Sequence, residues 1–144
     1  MEQMNLNQLR DKVLHFVEKE CYPAEKELKK LGEIGMDLNN EKASKIIKTL
    51  QISAKKQGLW ALGHPKAIGG QGMPFKDYVY VNEIQGRSEL APIALGTHSL
   101  QDSLMMYNYG SDEIKAKYLD KLVSAEIYPS FAMTEPSVSL IFFV

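Results

Sequence analysis

Apolar residues recur at three- and four-residue steps along most of this sequence, and this spacing constrains the fold more than any other feature. That spacing places one side chain per turn on the same face of an α-helix. Near the amino terminus charged residues separate the apolar positions, which are Leu6, Leu9, Val13, Phe16 and Val17. We therefore predict an amphipathic first helix with one buried face, in a chain that is helical nearly throughout.

Proline, glycine and capping residues divide the sequence into further helices. Pro23 is expected to kink or end the first helix because proline lacks a backbone donor, although the charged run after it can resume the helix as far as the next glycines. A second helix is predicted to begin at a cap on Asn39 or Asn40 and to stop at Gly58. The next stretch, residues 59–74, is rich in glycine and is predicted to be the longest loop.

Three more helices are predicted after this loop. The third begins near Pro74 and stops at Gly86, the fourth spans residues 90–110, and Ser111 caps the fifth. The side chains predicted to face inward on the last two helices are Leu100, Leu104, Met105, Ile114, Tyr118 and Leu122.

The pattern changes only after Glu126, where β-branched and aromatic residues bounded by a proline predict a short strand. No second strand follows, and an isolated strand is marginal unless it joins a sheet. The predicted fold is therefore all-α, with four to five helices followed by a short terminal strand. We place the helical domain at residues 1–127 and the start of a further, truncated domain at residues 128–144.

Composition limits the partners and the compartment. The net charge is −1 and 24% of residues are charged, so no basic excess recruits a nucleic acid. The single Cys21 cannot form an internal disulfide, which favours a reducing compartment. The amino terminus lacks the apolar core of a signal peptide, and the longest apolar run, Leu140 to Val144, is too short to span a membrane. We expect a cytoplasmic protein with no membrane span.

Two features of the sequence could indicate a phosphate-binding or a metal-binding site, and neither site is favoured. Gly69, Gly70 and Gly72 could cradle a phosphate, but no Gly-Lys-Ser/Thr follows them, so a helix-connecting loop is favoured. None of the three histidines has a further ligand at metal-binding spacing, and we expect no metal site.

A second group of residues superficially offers a nucleophile, a base and an acid: His98, Ser99, Asp102 and Ser103. Neighbouring residues of one helix cannot converge as a catalytic triad requires, so we interpret them as one polar helix face. The following residues Met105, Met106, Tyr107 and Tyr109 could line a pocket for a flat or apolar ligand, but core packing is the favoured interpretation.

Several short motifs in a fixed order carry a resemblance to a known family. They are Gly58 to Trp60, Pro65 to Gly72, Glu83 to Ser88, Tyr109 to Leu122 and Phe131 to Pro136, the last reading FAMTEP. In this combination the sequence resembles the N-terminal part of the flavin-dependent acyl-CoA dehydrogenases. Its residues 82–102 are most similar in sequence to the large-type branch of that family.

The resemblance implies an N-terminal helical domain that precedes a middle β domain and a C-terminal helical domain, assembled as a homo-oligomer. It implies an oxidoreductase with FAD as cofactor and an acyl-CoA as substrate. In the family a carboxylate removes the α-proton and the β-hydride passes to the flavin, which yields a trans-2-enoyl-CoA. The region from Ile93 to Leu104 resembles the part of the family that flanks the acyl chain.

The resemblance also implies the cofactor-binding residues, which are Phe131, Met133, Thr134, Glu135 and Pro136. An extended strand presents donors and acceptors at regular spacing to the polar edges of a flavin ring, and a threonine hydroxyl can serve as either. Glu135 and Pro136 then turn the chain.

After this motif the sequence departs from the family pattern, because Leu140 to Val144 stand where the family has a serine and an aspartate. We expect this chain to lack the β domain and the catalytic carboxylate of the family, so no catalytic residue is assigned. We expect a fragment that is inactive alone and that binds FAD weakly or not at all. The alternative is a free-standing helical interaction module that associates with full-length subunits.

Overall fold

The structure is a computed structural model that describes residues 5–32 and 40–130. These residues form helices and connecting loops, and none of them lies in a strand, which confirms the all-α prediction. The predicted terminal strand is not formed by its described residues 127–130, and its remaining residues lie outside the described ranges.

Eight α-helices follow one another in the described residues. Their bounds are α1 Leu6–Phe16, α2 Tyr22–Lys30, α3 Glu41–Lys56, α4 Phe75–Gln85, α5 Ala91–Ala94, α6 Leu100–Tyr109, α7 Asp112–Ile114 and α8 Asp120–Ser124. Two π-helical segments, Val17–Cys21 and Lys115–Leu119, join α1 to α2 and α7 to α8. Two 3₁₀ turns, Lys66–Ile68 and Thr97–Ser99, lie in the connections before α4 and α6.

Pro23 does not end the first helical run. The backbone N–H of Tyr22 donates to the carbonyl of Val17, five residues back, and α2 then continues to Lys30. A π-helical turn of this kind widens the hydrogen-bond ladder just before the proline, where the ring would otherwise collide with the preceding carbonyl. The charged run therefore resumes the helix, and Gly32, with a φ of 74°, follows its last turn.

Local capping signals are placed as the sequence predicts. The side chain of Asn40 accepts hydrogen bonds from the N–H groups of Lys42 and Ala43 at the start of α3. The hydroxyl of Ser111 accepts from the N–H of Ile114 at the start of α7. Pro74 lies at the N-cap of α4 rather than at the predicted first helical position, so the helix begins one residue later than predicted.

The predicted fourth helix is divided at Gly96 into α5, a 3₁₀ turn and α6. Gly96 has a φ of 77°, and a Cβ there would lie 2.9 Å from the ring of Trp60. The break therefore needs glycine both for its backbone conformation and for close packing. It also changes which side chains of α6 face inward.

The inward-facing side chains predicted for the last two helices are only partly correct. Leu122 is buried and Leu100 and Leu104 are half-buried, but Met105 is 58% exposed. Ile114 and Tyr118 are also exposed. The buried face of α6 carries Asp102 and Ser103 instead, since the helix begins after the turn at Gly96 rather than continuing α5.

The main core lies between α1, α3, α4 and α5. Its largest fully buried apolar side chains are Phe16, Ile47, Leu59, Ile84, Ile93 and Leu95. A smaller cluster packs the loop of residues 59–74 against α8 and the π-helical segment before it, and contains Ala61, Ile68, Leu119 and Val123. Among the described helices, none combines the length and the apolar content that crossing a membrane requires.

Candidate functional site

Polar side chains gather on the buried face of α6 and the turn before it. We call this group the α6 polar cluster; its members are His64, His98, Ser99, Asp102 and Ser103. His64, Ser99 and Ser103 are almost completely inaccessible to solvent, and Asp102 is 9% exposed. The loop of residues 59–74 contributes His64, and the break at Gly96 places the other four at the start of α6.

The centre of the cluster is a contact between His64 and Ser99. Nε2 of His64 lies 3.2 Å from Oγ of Ser99, and the same hydroxyl donates to the carbonyl of Gly96 at 3.3 Å. A carbonyl can only accept, so both bonds are satisfied when Ser99 gives its proton to Gly96 and accepts the Nε2 proton of His64. In this tautomer His64 is a donor to the serine and cannot serve as its base.

Burial keeps the His64 ring neutral. The pKa of His64 is lowered from 6.5 to about 4, chiefly by burial and also by the nearby His98, while a contact with the backbone of Ser99 opposes the shift. Nδ1 of His64 has no hydrogen-bond partner among the described residues. No acidic residue in the described ranges therefore orients this ring as the histidine of a triad is oriented.

His98 and Asp102 lie one turn apart on the same side of the helix. Burial lowers the pKa of His98, and the Pro92 carbonyl and the Asp102 carboxylate oppose this shift. Neither group makes a well-formed hydrogen bond to a ring nitrogen of His98. The ring of His98 lies 5.2 Å from that of Tyr128. This part of the cluster thus contacts the last described stretch of the chain.

His98, Ser99, Asp102 and Ser103, interpreted from the sequence as one polar helix face, do lie on one side of α6 and the turn before it. That face is buried rather than solvated. Within the described residues, unpaired buried atoms include both ring nitrogens of His98, Oδ2 of Asp102 and Oγ of Ser103. Sequence reasoning missed His64 as a member, because 35 residues separate it from Ser99 and no local pattern links them.

Backbone N–H groups of the glycine-rich loop donate hydrogen bonds to backbone carbonyls of the same loop. The N–H of Gly70 donates to the Pro65 carbonyl at 3.0 Å, and the N–H of Gly72 donates to the His64 carbonyl at 2.8 Å. A Cβ at Gly70 would lie 2.2 Å from that carbonyl oxygen. Because these donors are used within the loop, the interpretation as a helix-connecting loop is confirmed for this stretch.

The aromatic and methionine cluster at the end of α6 does not form core, so the favoured interpretation is wrong for most of it. Tyr109 is 86% exposed, and Met105 and Tyr107 are also exposed. Met106 alone is partly buried, against the smaller apolar cluster. The reason is geometric, since the polar cluster already occupies the inward side of α6.

The five predicted cofactor-binding residues, Phe131, Met133, Thr134, Glu135 and Pro136, lie outside the described residues. In the described part of the chain, no three histidine, cysteine, aspartate or glutamate side chains are grouped so that they could hold a metal ion.

Comparisons with known proteins place these features in a family. The family profile described as "Acyl-CoA dehydrogenase, N-terminal domain" matches residues 4–126. Mouse acyl-CoA dehydrogenase family member 10 is 29% identical over 141 residues, which cover 93% of this chain and 13% of that protein. Human acyl-CoA dehydrogenase family member 11 is 32% identical over 132 residues, which cover 89% of this chain and 16% of that protein.

A solved structure from Mycobacterium abscessus, assigned to the acyl-CoA dehydrogenases, has the same fold. It superposes with a TM-score of 0.77 at 24% identity, and the match covers 96% of this chain and 36% of that one. The chain thus spans less than a fifth of the length of the two curated relatives. On the profile match across most of its length, the chain belongs to the acyl-CoA dehydrogenase family, in the part that forms the N-terminal domain.

Proposed function

We propose that this chain provides the N-terminal helical wall of a flavin-dependent oxidoreductase that converts an acyl-CoA thioester to the trans-2-enoyl-CoA. The profile match over residues 4–126 carries this proposal, because it extends over every helix described. The mouse and human relatives are named as acyl-CoA dehydrogenases, and we extend that activity to the complete protein in which this chain would act.

In this proposal the residues after Ser130 contact FAD. Backbone groups of Phe131 and Met133 and the hydroxyl of Thr134 would hold the polar edges of the flavin ring, and Glu135 and Pro136 would turn the chain away from it. FAD, when bound, supplies the two-electron oxidant. The role of this chain is to bind and orient, since it offers no group that we assign as the catalytic base.

The acyl chain would pass beside α5 and the start of α6. Ile93, Ala94 and Leu95 are buried there, so this wall is rigid rather than adaptable. The neutral His64 fixes the start of α6 through Ser99. We propose the domain boundary at residues 127 and 128 and a homo-oligomeric assembly on the same family basis. We propose a cytoplasmic location because the single Cys21 favours a reducing compartment.

A second candidate function rests on the exposed apolar side chains of α6 to α8. Met105, Tyr109, Ile114 and Tyr118 are all more than a third exposed. Apolar side chains grouped on one part of a surface favour association with another polypeptide. An interaction module that pairs with full-length subunits would use this surface, whereas the dehydrogenase would cover it with its own later domains.

A domain exchange tests the proposed activity. Residues 4–126 of this chain would replace the matching segment of human acyl-CoA dehydrogenase family member 11, and the chimera would be assayed for acyl-CoA-dependent reduction of an electron-acceptor dye. The assay would use saturated acyl-CoAs of increasing chain length, with the intact human protein as the matched control. We expect dye reduction with at least one acyl-CoA. A folded chimera that binds FAD but reduces no dye with any acyl-CoA that the control oxidises would contradict the proposal.

A further inference from the structure

Two side chains of α3, one turn apart, bind the two ends of the segment that leads out of the described structure. Nζ of Lys55 donates to the Ser124 carbonyl at 2.9 Å, and Nε2 of Gln51 donates to the hydroxyl of Tyr128 at 3.2 Å. Residues four apart lie on the same face of a helix. We call this pair of contacts the α3 clamp.

Neighbouring contacts reinforce each half of the clamp. Gln51 is 5% exposed, and its Nε2 also donates to the Ile93 carbonyl at 3.2 Å. Nζ of Lys55 lies 4.2 Å from the centre of the Trp60 ring, and Nε1 of Trp60 donates to the Val123 carbonyl at 3.1 Å. The last two carbonyls of α8, those of Val123 and Ser124, are therefore bonded by side chains from elsewhere in the chain.

The backbone between the clamped ends has a defined path. Ala125 has a φ of 62°, the left-handed conformation that ends a helix, and the N–H groups of Glu126 and Ile127 both donate to the Lys121 carbonyl. Only Pro129 and Ser130 then separate Tyr128 from Phe131. The clamp therefore holds the chain three residues before the proposed flavin-contacting segment begins.

We propose that Gln51 and Lys55 are positioning residues that hold residues 124–128 against α3 and so fix the point of the helical domain from which the chain continues to the proposed flavin-contacting residues, Phe131 to Pro136. The contact of Phe131 to Pro136 with FAD belongs to the proposed function, so the part of this inference that concerns FAD rests on that function. The clamp itself is independent of the reaction and can be measured in the chain without any cofactor.

Amide hydrogen exchange of the complete 144-residue chain, read by mass spectrometry, tests the clamp. Lys55→Met removes the ammonium donor and keeps the apolar stem, and Tyr128→Phe removes only the hydroxyl that Gln51 binds. We expect exchange over residues 124–136 to accelerate about fivefold in each variant, with exchange in α1 and α4 unchanged. Lys55→Arg, which keeps a cation and donors, should restore most of the protection.

The matched control is Lys56→Met, which changes the adjacent lysine on the same helix. Lys56 is exposed, so its replacement should leave exchange over residues 124–136 unaltered. Unaltered exchange in the Lys55 and Tyr128 variants would overturn the proposal. Equal acceleration in every helix would also overturn it, since that result indicates general destabilisation. So would fully unprotected amides over residues 124–128 in the unmodified chain, because the clamp would then hold nothing in place.

The two proposals fail separately. An inactive chimera, with exchange in the 144-residue chain that responds to Lys55→Met and Tyr128→Phe, would remove the acyl-CoA dehydrogenase activity and leave the positioning role of Gln51 and Lys55. An active chimera, with exchange in the 144-residue chain that does not respond to these replacements, would remove the positioning role and leave the activity.

Discussion

Nε2 of His64 lies 3.2 Å from Oγ of Ser99, and this contact joins the glycine-rich loop to the first turn of α6. Both side chains are buried, and the ring is neutral because burial lowers the pKa of His64 to about 4. In this contact Nε2–H of His64 donates to Oγ of Ser99. Without this contact the loop of residues 59–74 would have a polar ring buried with no partner for Nε2.

Stability should therefore fall as the solution is acidified below the ordinary histidine pKa. In the unfolded chain His64 takes up a proton near pH 6.5, but in the folded chain it does so only near pH 4. The unfolded state binds more protons in this window, so the free energy of unfolding drops with falling pH by at most about 1.4 kcal/mol per pH unit. Urea unfolding between pH 7 and pH 4 measures this slope.

His64→Gln should flatten that pH dependence, leaving a smaller slope from His98, whose pKa is also lowered by burial. His15, which is exposed on α1, provides the control. His15→Gln should retain the full slope. Identical slopes for the unmodified chain and the His64 variant would contradict the role given to His64.

Ser99, at the N-cap of α6, and Ser103, one turn later within α6, should respond differently to replacement. Ser99→Ala leaves the Nε2 proton of His64 buried and unpaired, and we expect a loss of about 1–3 kcal/mol in the free energy of unfolding. Ser103 is equally buried, but its hydroxyl has no partner among the described residues, so Ser103→Ala should be neutral or stabilising. Denaturant unfolding of the two variants compares them directly, and equal losses would show that burial alone decides the cost.

Adjacent glycines of the loop supply a second matched pair. A Cβ at Gly70 would lie 2.2 Å from the His64 carbonyl oxygen, so Gly70→Ala must displace backbone and should cost more than about 3 kcal/mol. Gly69 has a φ of 88° but nothing closer than 4.0 Å, so Gly69→Ala should cost only about 1–2 kcal/mol of backbone strain. Thermal unfolding should rank the two variants in this order, and the reverse order would contradict the loop geometry.

The chain expressed as these 144 residues should carry no stoichiometric flavin. The proposed flavin contacts are confined to one short segment, and a single wall of a site gives few of the interactions that tight binding needs. The absorption spectrum of the purified chain, recorded after addition of excess FAD and gel filtration, checks this. A retained flavin band at one equivalent per chain would contradict the expectation.

Features that depend on neighbouring residues in the chain could be predicted from the sequence. Asn40 and Ser111 cap helices because a cap needs only a side-chain oxygen and the N–H groups two or three residues later. The amphipathic first helix was predictable for the same reason. The flavin-facing segment, in contrast, came from resemblance alone and remains a prediction.

Features that depend on distant residues could not be predicted. The break at Gly96 is set by the approach of Trp60 from another part of the chain. Once the helix breaks there, Met105 turns outward and Ser103 inward. The partnership of His64 with Ser99 has the same origin, since it depends on how the loop packs and not on any local spacing.

The most direct test of the central claim is an anaerobic titration of the flavin in the chimera described above. A long-chain acyl-CoA would be added to the FAD-loaded chimera, and the absorbance of the oxidised flavin would be followed. We predict that this absorbance falls as one equivalent of acyl-CoA is consumed and that trans-2-enoyl-CoA is formed. A flavin that stays oxidised, in a chimera that is folded and fully loaded while the intact human protein is reduced, would contradict the claim that this helical domain serves an acyl-CoA dehydrogenase.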